Sequence, residues 1–88
     1  MSNPSSNKMQ VFVKYVAKGK TFLLDVDPND TILSLKGQVK HKEGIPIDEQ
    51  CLVYMSRGLY DKGGLLVKDH GIKEGSNIYL ILRTKGGT

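Results

Sequence analysis

The sequence predicts a single α+β domain, a roll in which a mixed sheet packs on one helix. Apolar residues alternate with polar ones near both ends of the chain, an apolar stripe with helical spacing lies between them, and the length of 88 residues suits one domain. The predicted order is strand, strand, helix, strand, strand. If the first and last strands are neighbours, they run parallel, because the helix provides the crossover that a parallel pair needs.

The first two strands form a predicted hairpin. Residues Met9 to Tyr15 alternate in polarity and are rich in β-branched side chains, and residues Thr21 to Asp27 follow the same pattern. Lys18-Gly19-Lys20 supplies the turn between them, where glycine tolerates the conformation that a tight turn requires. The side chains that we expect to point inward are Met9, Val11, Val13, Phe22, Leu24 and Val26.

A helix is predicted between Thr31 and Gly44. The Thr31 hydroxyl can accept a backbone N–H of the first turn, and Gly44 suits the left-handed residue that ends a helix. Gly37 costs this helix about 1 kcal/mol relative to alanine. The stripe that we expect to face the core consists of Ile32, Leu35 and Val39.

The second half of the chain contains two further predicted strands. Residues Gln50 to Tyr54 form the first, with Leu52 inward, and residues Ile78 to Leu82 form the second. In the last strand, alternation sends Ile78 and Leu80 inward and turns their neighbours outward. The chain from Met55 to Gly71 is irregular, and we expect turns at its glycines, Gly58, Gly63 and Gly64.

Composition excludes several classes of protein. The net charge of +4 comes from 13 basic and 9 acidic residues that are spread along the chain, so we expect a solvated surface and no nucleic-acid binding. No apolar run approaches the roughly 18 residues of a membrane span, and no signal peptide is evident. The single cysteine, Cys51, fits a reducing compartment. We therefore expect a monomer in the cytoplasm or nucleus, with no membrane partner.

Catalytic chemistry finds little support in the sequence. Cys51, His41 and His70 are the nucleophile and base candidates, and nothing indicates a third group that would orient them. Three such residues far apart in sequence make no zinc site. The spacing of Gly58 and Gly63 is that of a phosphate-binding loop, but Gly64 stands where that loop needs a lysine. We expect no enzyme activity, no cofactor and no metal.

Several short segments resemble ubiquitin in their order and nearly in their spacing. They are Met9-Gln10-Val11-Phe12-Val13-Lys14, Gly19-Lys20-Thr21, Asp30-Thr31-Ile32, Lys42-Glu43-Gly44-Ile45-Pro46, Asp48-Glu49-Gln50, Gly71-Ile72, Leu82-Arg83 and Gly86-Gly87. The resemblance covers residues 9–87 and implies the ubiquitin-like β-grasp fold, with a function in recognition by other proteins. We accordingly divide the chain into a disordered leader or linker (1–8), a ubiquitin-like domain (9–85) and a flexible Gly-Gly tail (86–88).

The chain also departs from ubiquitin. It has one extra residue near Ala17-Lys18 and about two more between Asp61 and Leu65. Arg57 and Glu74 stand at the positions of two lysines through which ubiquitin forms chains. The resemblance therefore implies a divergent relative in which those two linkages cannot form.

The resemblance also implies a partner-binding patch on the sheet. The matching positions are Val16, Val53, Tyr79 and Ile81, and strand alternation agrees, because Val53 and Ile81 are out of phase with the core residues beside them. The alternative is that these are scattered surface side chains without a role, which is common. Phe12, Leu23 and Leu33 are further unexplained apolar residues, and either contact a neighbouring domain or are simply exposed.

The C-terminal residues resemble ubiquitin's conjugation tail. Arg83 matches an arginine that activating enzymes recognise, and Gly86 and Gly87 match the glycines through which ubiquitin is attached. Thr88 follows, so a protease must first cut after Gly87. In this hypothesis the partners are ubiquitin-binding modules, activating and conjugating enzymes and the protease. The alternative is an uncleaved ubiquitin-like domain of a larger protein, which docks ubiquitin-binding or proteasomal modules through the sheet.

Overall fold

The computed structural model describes residues 8–59 and 65–83. Within these residues, a helix packs on one five-stranded sheet whose strand order is β2-β1-β5-β3-β4. The elements are β1 (Met9–Tyr15), β2 (Lys20–Val26), α1 (Ile32–Glu43), β3 (Gln50–Tyr54), β4 (Arg57–Leu59) and β5 (Asn77–Leu82). Among these described strands, β1 and β5 pair in parallel and the other neighbours pair antiparallel. The mixed sheet, the helix and the parallel pairing confirm the predicted β-grasp roll.

The strand β4 was not predicted, and its presence corrects the expectation of an irregular chain after Met55. It pairs with β3 through Leu52 opposite Leu59 and Tyr54 opposite Arg57. Leu59 is buried in the core, which explains why so short a strand is held in place. The turn expected at Gly58 is wrong, since this residue lies within β4. Gly63 and Gly64 lie outside the described residues, as do residues 1–7 of the predicted leader.

The core lies between α1 and the inner face of the sheet, and its composition follows the predicted alternation. Met9 and Phe22 are partly buried and pack against this core. The buried apolar residues of the core are Val11, Val13, Tyr15, Leu24, Val26, Ile32, Leu35, Val39, Ile45, Leu52, Leu59, Val67, Ile72, Ile78 and Leu80.

Both ends of α1 are formed as predicted. The Thr31 Oγ1 accepts a hydrogen bond from the Ser34 N–H at 3.1 Å, which satisfies one of the free donors of the first turn. Gly44 has a φ of 75°, and its N–H donates to the carbonyl of Lys40 at 2.7 Å. In the described part of the chain, no helix combines the length and the apolar character needed to cross a membrane.

A buried amide ties the helix to β3. The Gln50 Nε2 donates to the carbonyl of Lys36 at 2.9 Å and to that of Ile45 at 3.0 Å. These bonds satisfy both hydrogens of the buried amide nitrogen, one on a carbonyl in the middle of α1 and one on a carbonyl in the segment after it. Gln50 thereby fixes the position of β3, which carries part of the candidate site on its outer face.

Candidate functional site

The outer face of the sheet carries one continuous row of neighbouring residues. The register places Thr21 beside Lys14, Lys14 beside Tyr79, Tyr79 beside Val53, and Val53 beside Gly58. Side chains of neighbouring residues on one face lie within about 5.5 Å at their Cβ atoms. The row therefore crosses all five strands and brings Tyr79 and Val53 into direct proximity.

The structure confirms the predicted phase of the strands. Leu52 and Leu80 are 1% and 0% exposed, whereas Tyr79 and Ile81 are 43% and 44% exposed. Val53 is half-buried and lies out of phase with Leu52. Its neighbour on β4 is Gly58, which has no side chain to cover it. The out-of-phase residues thus form an apolar surface on the side of the sheet opposite α1.

Val16 lies at one end of this surface. It begins a short 3₁₀ helix, Val16–Lys18, that follows β1 directly and packs beside β5. The helix closes at Gly19, which has a φ of 61° and donates its N–H to the Val16 carbonyl at 3.2 Å. Because Tyr15 pairs with Leu80, Val16 comes next to the Ile81 end of β5. We call Val16, Val53, Tyr79 and Ile81 the sheet patch.

A lysine that the sequence analysis overlooked sits against the sheet patch. The Lys14 Nζ lies 5.8 Å from the centroid of the Tyr79 ring, within the range of a cation–π interaction. The parallel pairing of β1 with β5 places it there. Its position could have been predicted by aligning the two strands in register. It adds a positive charge beside the largest exposed ring of the patch.

The other unexplained apolar residues separate into two places. Phe12 and Leu23 pair across β1 and β2, and each is 41% exposed, so they extend the outer sheet face next to the row of Lys14. Leu33 is exposed on α1, which packs against the inner face of the sheet, and so lies on a different side of the domain. Their contact with a neighbouring domain stays a prediction.

A second residue that the sequence analysis overlooked is Met55. It is 74% exposed at the turn between β3 and β4, and it lines the same surface groove as Tyr79. This turn is hard to predict from the sequence, because its two residues, Met55 and Ser56, are neither glycine nor asparagine.

The C-terminal strand leads into the predicted tail. β5 ends at Leu82, and the next residue, Arg83, is exposed and donates its N–H to the carbonyl of Glu49 at 2.7 Å. This bond extends the edge of the paired region by one residue. Gly86 and Gly87 lie outside the described residues, and their role stays a prediction.

The candidates for catalysis lie on three different elements of the fold. Cys51 is a partly exposed residue of β3, where it pairs with Ile81, whereas His41 is exposed on α1 across the sheet. His70 ends a 3₁₀ helix, Val67–His70. Among the residues that the structure describes, no three His, Cys, Asp or Glu side chains converge as metal ligands would.

Comparison with known proteins agrees with this arrangement. The family model described as the ubiquitin family matches residues 11–85. Ubiquitin-like protein 1 of Schizosaccharomyces pombe is 36% identical over 70 residues, which are 80% of this chain and 87% of that protein. The ubiquitin-like protein NEDD8 of Dictyostelium discoideum is 35% identical over 69 residues, covering 78% and 87%.

A third relative has a different architecture. AN1-type zinc finger protein 4 of Mus musculus is 33% identical over 84 residues, which are 96% of this chain but only 11% of that protein. The same domain thus occurs both in proteins of about this length and within a much longer one. From the matched family model and these relatives, the chain belongs to the ubiquitin family.

Proposed function

We propose that this domain acts by being recognised by other proteins through the sheet patch, and not by catalysing a reaction. The observation that carries the proposal is the alternation of buried and outward-facing apolar side chains along β3 and β5. Leu52 and Leu80 fill the core, while Val53 and Ile81 beside them are left to the outer face. Apolar groups gathered on one exposed face mark interaction sites far more often than single scattered ones do.

The charges around the sheet patch favour an acidic partner. Lys14 lies against the Tyr79 ring, and Lys18 and Arg83 are exposed near the other end of the patch. A small helical ubiquitin-binding module with an apolar stripe and flanking carboxylates would match this surface. Tyr79 is the natural anchor, because aromatic side chains dominate the binding energy of protein interfaces.

We further propose that the domain is a modifier, attached to other proteins through Gly87 after removal of Thr88. Two relatives of similar length, ubiquitin-like protein 1 and NEDD8, support this proposal. So does Arg83, which stands exposed just beyond β5, where an activating enzyme can reach it. In this reaction the Gly87 carboxylate would first attack ATP and displace pyrophosphate, which leaves an adenylate on Gly87. A thiolate of the activating enzyme would then displace AMP and form a thioester. Finally, a lysine amine of the target protein would displace the thiolate and form an isopeptide bond.

The second candidate is an uncleaved domain of a longer protein. The mouse zinc finger relative favours it, since the matched segment is a small part of that protein. In this case the sheet patch keeps its role in binding, and the tail acts only as a linker.

The two candidates are separated by an activation assay. Protein ending at Gly87 is incubated with a ubiquitin-family activating enzyme and ATP, and an adduct that disappears with thiol reagent is sought on a non-reducing gel. The modifier proposal predicts this adduct, and it predicts none when Thr88 is retained. If no activating enzyme of the family forms the adduct, the uncleaved domain is the better account.

The sheet patch is tested by binding of a helical ubiquitin-binding module. Val53→Ala and Ile81→Ala should each weaken binding by about 1–2 kcal/mol, or roughly 5- to 30-fold in Kd, because each removes apolar contact area from the centre of the surface. Leu33→Ala, which shortens an exposed side chain on α1, is the matched control and should leave Kd unchanged. If both patch variants bind as tightly as the wild type, the sheet patch is not the binding surface.

A further inference from the structure

The turn between β3 and β4 holds an apolar side chain in a strained and exposed position. Tyr54 pairs with Arg57, which leaves a two-residue turn at Met55 and Ser56, with φ angles of 53° and 68°. Such turns favour glycine, asparagine or aspartate, because both residues adopt left-handed backbone. Met55 combines this strain with an exposure of 74%. The exposure follows from the position of Met55 at the tip of a hairpin, whereas the left-handed backbone lowers local stability, and strain of this kind concentrates at binding sites.

The Met55 side chain forms one wall of a groove. The groove has a volume of about 350 Å³ and is lined by Tyr54, Met55, Tyr79 and the loop of residues 73–77. Tyr79 belongs both to this groove and to the sheet patch. The two surfaces are therefore continuous, and a partner on the sheet patch meets the groove at its edge.

The floor of the groove is fixed by hydrogen bonds. Ser76 Oγ donates to the Tyr54 hydroxyl at 3.2 Å, and that hydroxyl donates to the Gly71 carbonyl at 3.3 Å. Lys73 N–H donates to Ser76 Oγ at 2.9 Å, and Gly75 N–H to the Gln10 carbonyl at 2.7 Å. A groove held in this way loses little conformational freedom when it is filled, which favours binding.

The charge at the groove indicates what kind of residue it receives. Lys73 is exposed at the rim and Lys14 lies over the far side of the Tyr79 ring. The acidic group on the rim, Glu74, has one carboxylate oxygen engaged as the acceptor of the Gln10 N–H at 2.9 Å. Two cations, Lys73 and Lys14, thus stand against one carboxylate, so the net charge beside the two apolar walls, Met55 and Tyr79, is positive.

We propose that Met55 is a specificity-determining contact of the recognition surface, and that the groove between Met55 and Tyr79 receives an apolar side chain of the partner that lies beside an acidic residue facing Lys73. The proposal rests on the proposed function, because it names the chemistry of a partner that binds the same side of the sheet. Met55 is not a residue of the sheet patch, so the proposed contact is additional to the binding by that patch.

The test uses peptides of 16 residues selected from a random phage-displayed library on the immobilised wild-type domain. Selected peptides are synthesised, and their Kd is measured by fluorescence polarisation. Met55→Gly should weaken binding five- to tenfold, while its melting temperature is unchanged or higher, because glycine relieves the left-handed strain. Met55→Leu should restore most of the affinity, and Leu33→Ala should have no effect. The selected peptides should share an apolar residue next to Asp or Glu.

A charge reversal tests the second half of the proposal. Lys73→Glu should weaken binding about tenfold at low salt and less at high salt, since the lost attraction is screened. Lys40→Glu, on the exposed side of α1, is the matched control. If no peptide is selected, if Met55→Gly leaves Kd unchanged, or if the two charge reversals act alike, the groove proposal is overturned. Val53→Ala is measured in parallel, and weakening there without weakening by Met55→Gly would retain the sheet patch and reject the groove.

Discussion

Two glycine-to-alanine substitutions in and next to α1 should change stability in opposite directions. A Cβ added at Gly37 or at Gly44 meets no heavy atom within 4 Å, so neither substitution creates a clash. They differ in the backbone, because Gly37 lies inside the helix and Gly44 has a φ of 75°. Gly37→Ala should stabilise the domain by about 1 kcal/mol through helix propensity and a less flexible unfolded chain. Gly44→Ala should destabilise it by about 1 kcal/mol, since left-handed backbone costs a residue with a Cβ about 1–2 kcal/mol.

The two changes are large enough to measure in a domain of this size. The chain has no tryptophan, so urea unfolding is best followed by far-UV circular dichroism. With a slope near 1 kcal/mol per molar urea, each substitution should move the midpoint by about 1 M, and the melting temperature by roughly 4–8 °C. The slope itself should not change. A Gly37→Ala protein no more stable than wild type, or a Gly44→Ala protein at least as stable as wild type, would refute the assignment of the helix and its cap.

Three further predictions concern the core and the helix. Thr31→Ala should cost about 1 kcal/mol of unfolding free energy in the same assay, because it removes the acceptor of the Ser34 N–H. Leu80→Ala should cost about 2–5 kcal/mol and Ile81→Ala less than about 1 kcal/mol, since only Leu80 is buried; similar losses would contradict the strand phase. Gln50→Glu should place a carboxyl in a buried site, which raises the pKa of that group. The stability of this variant relative to wild type should therefore be least impaired near pH 4 and fall as pH rises, and a pH-independent difference would contradict the burial.

Strand phase and helix ends could be predicted from the sequence because each depends on local rules. Alternation alone placed Leu80 inward and Ile81 outward, and the positions of Thr31 and Gly44 sufficed to predict the ends of α1. The parallel direction of β1 and β5 was predicted on the condition that the two strands are neighbours, and in the structure they are. Strand phase and helix ends, by contrast, need no knowledge of distant contacts.

The strand β4 could not be predicted, because tertiary pairing overrides its local sequence. It has three residues, one of them a glycine, and the turn before it has no glycine or asparagine. For the candidate site, the resemblance to ubiquitin suggested the four residues of the sheet patch, whose role in binding stays a prediction, but it did not suggest Met55, whose exposure depends on that turn. The contact of Lys14 with Tyr79 also needed the register between two strands that are distant in sequence.

The parallel central pair has a consequence for what can be attached to this domain. Since β1 and β5 point the same way, the chain enters the sheet at Met9 and leaves it at Leu82 on opposite poles of the molecule. Counted along the strands, the two points are roughly 25 Å apart. A fluorescent protein or affinity handle joined ahead of Met9 would therefore sit away from the C-terminal pole, leaving that pole open to an enzyme. For the same reason, a protein joined at the C-terminal pole would lie apart from any group attached at the N-terminal pole.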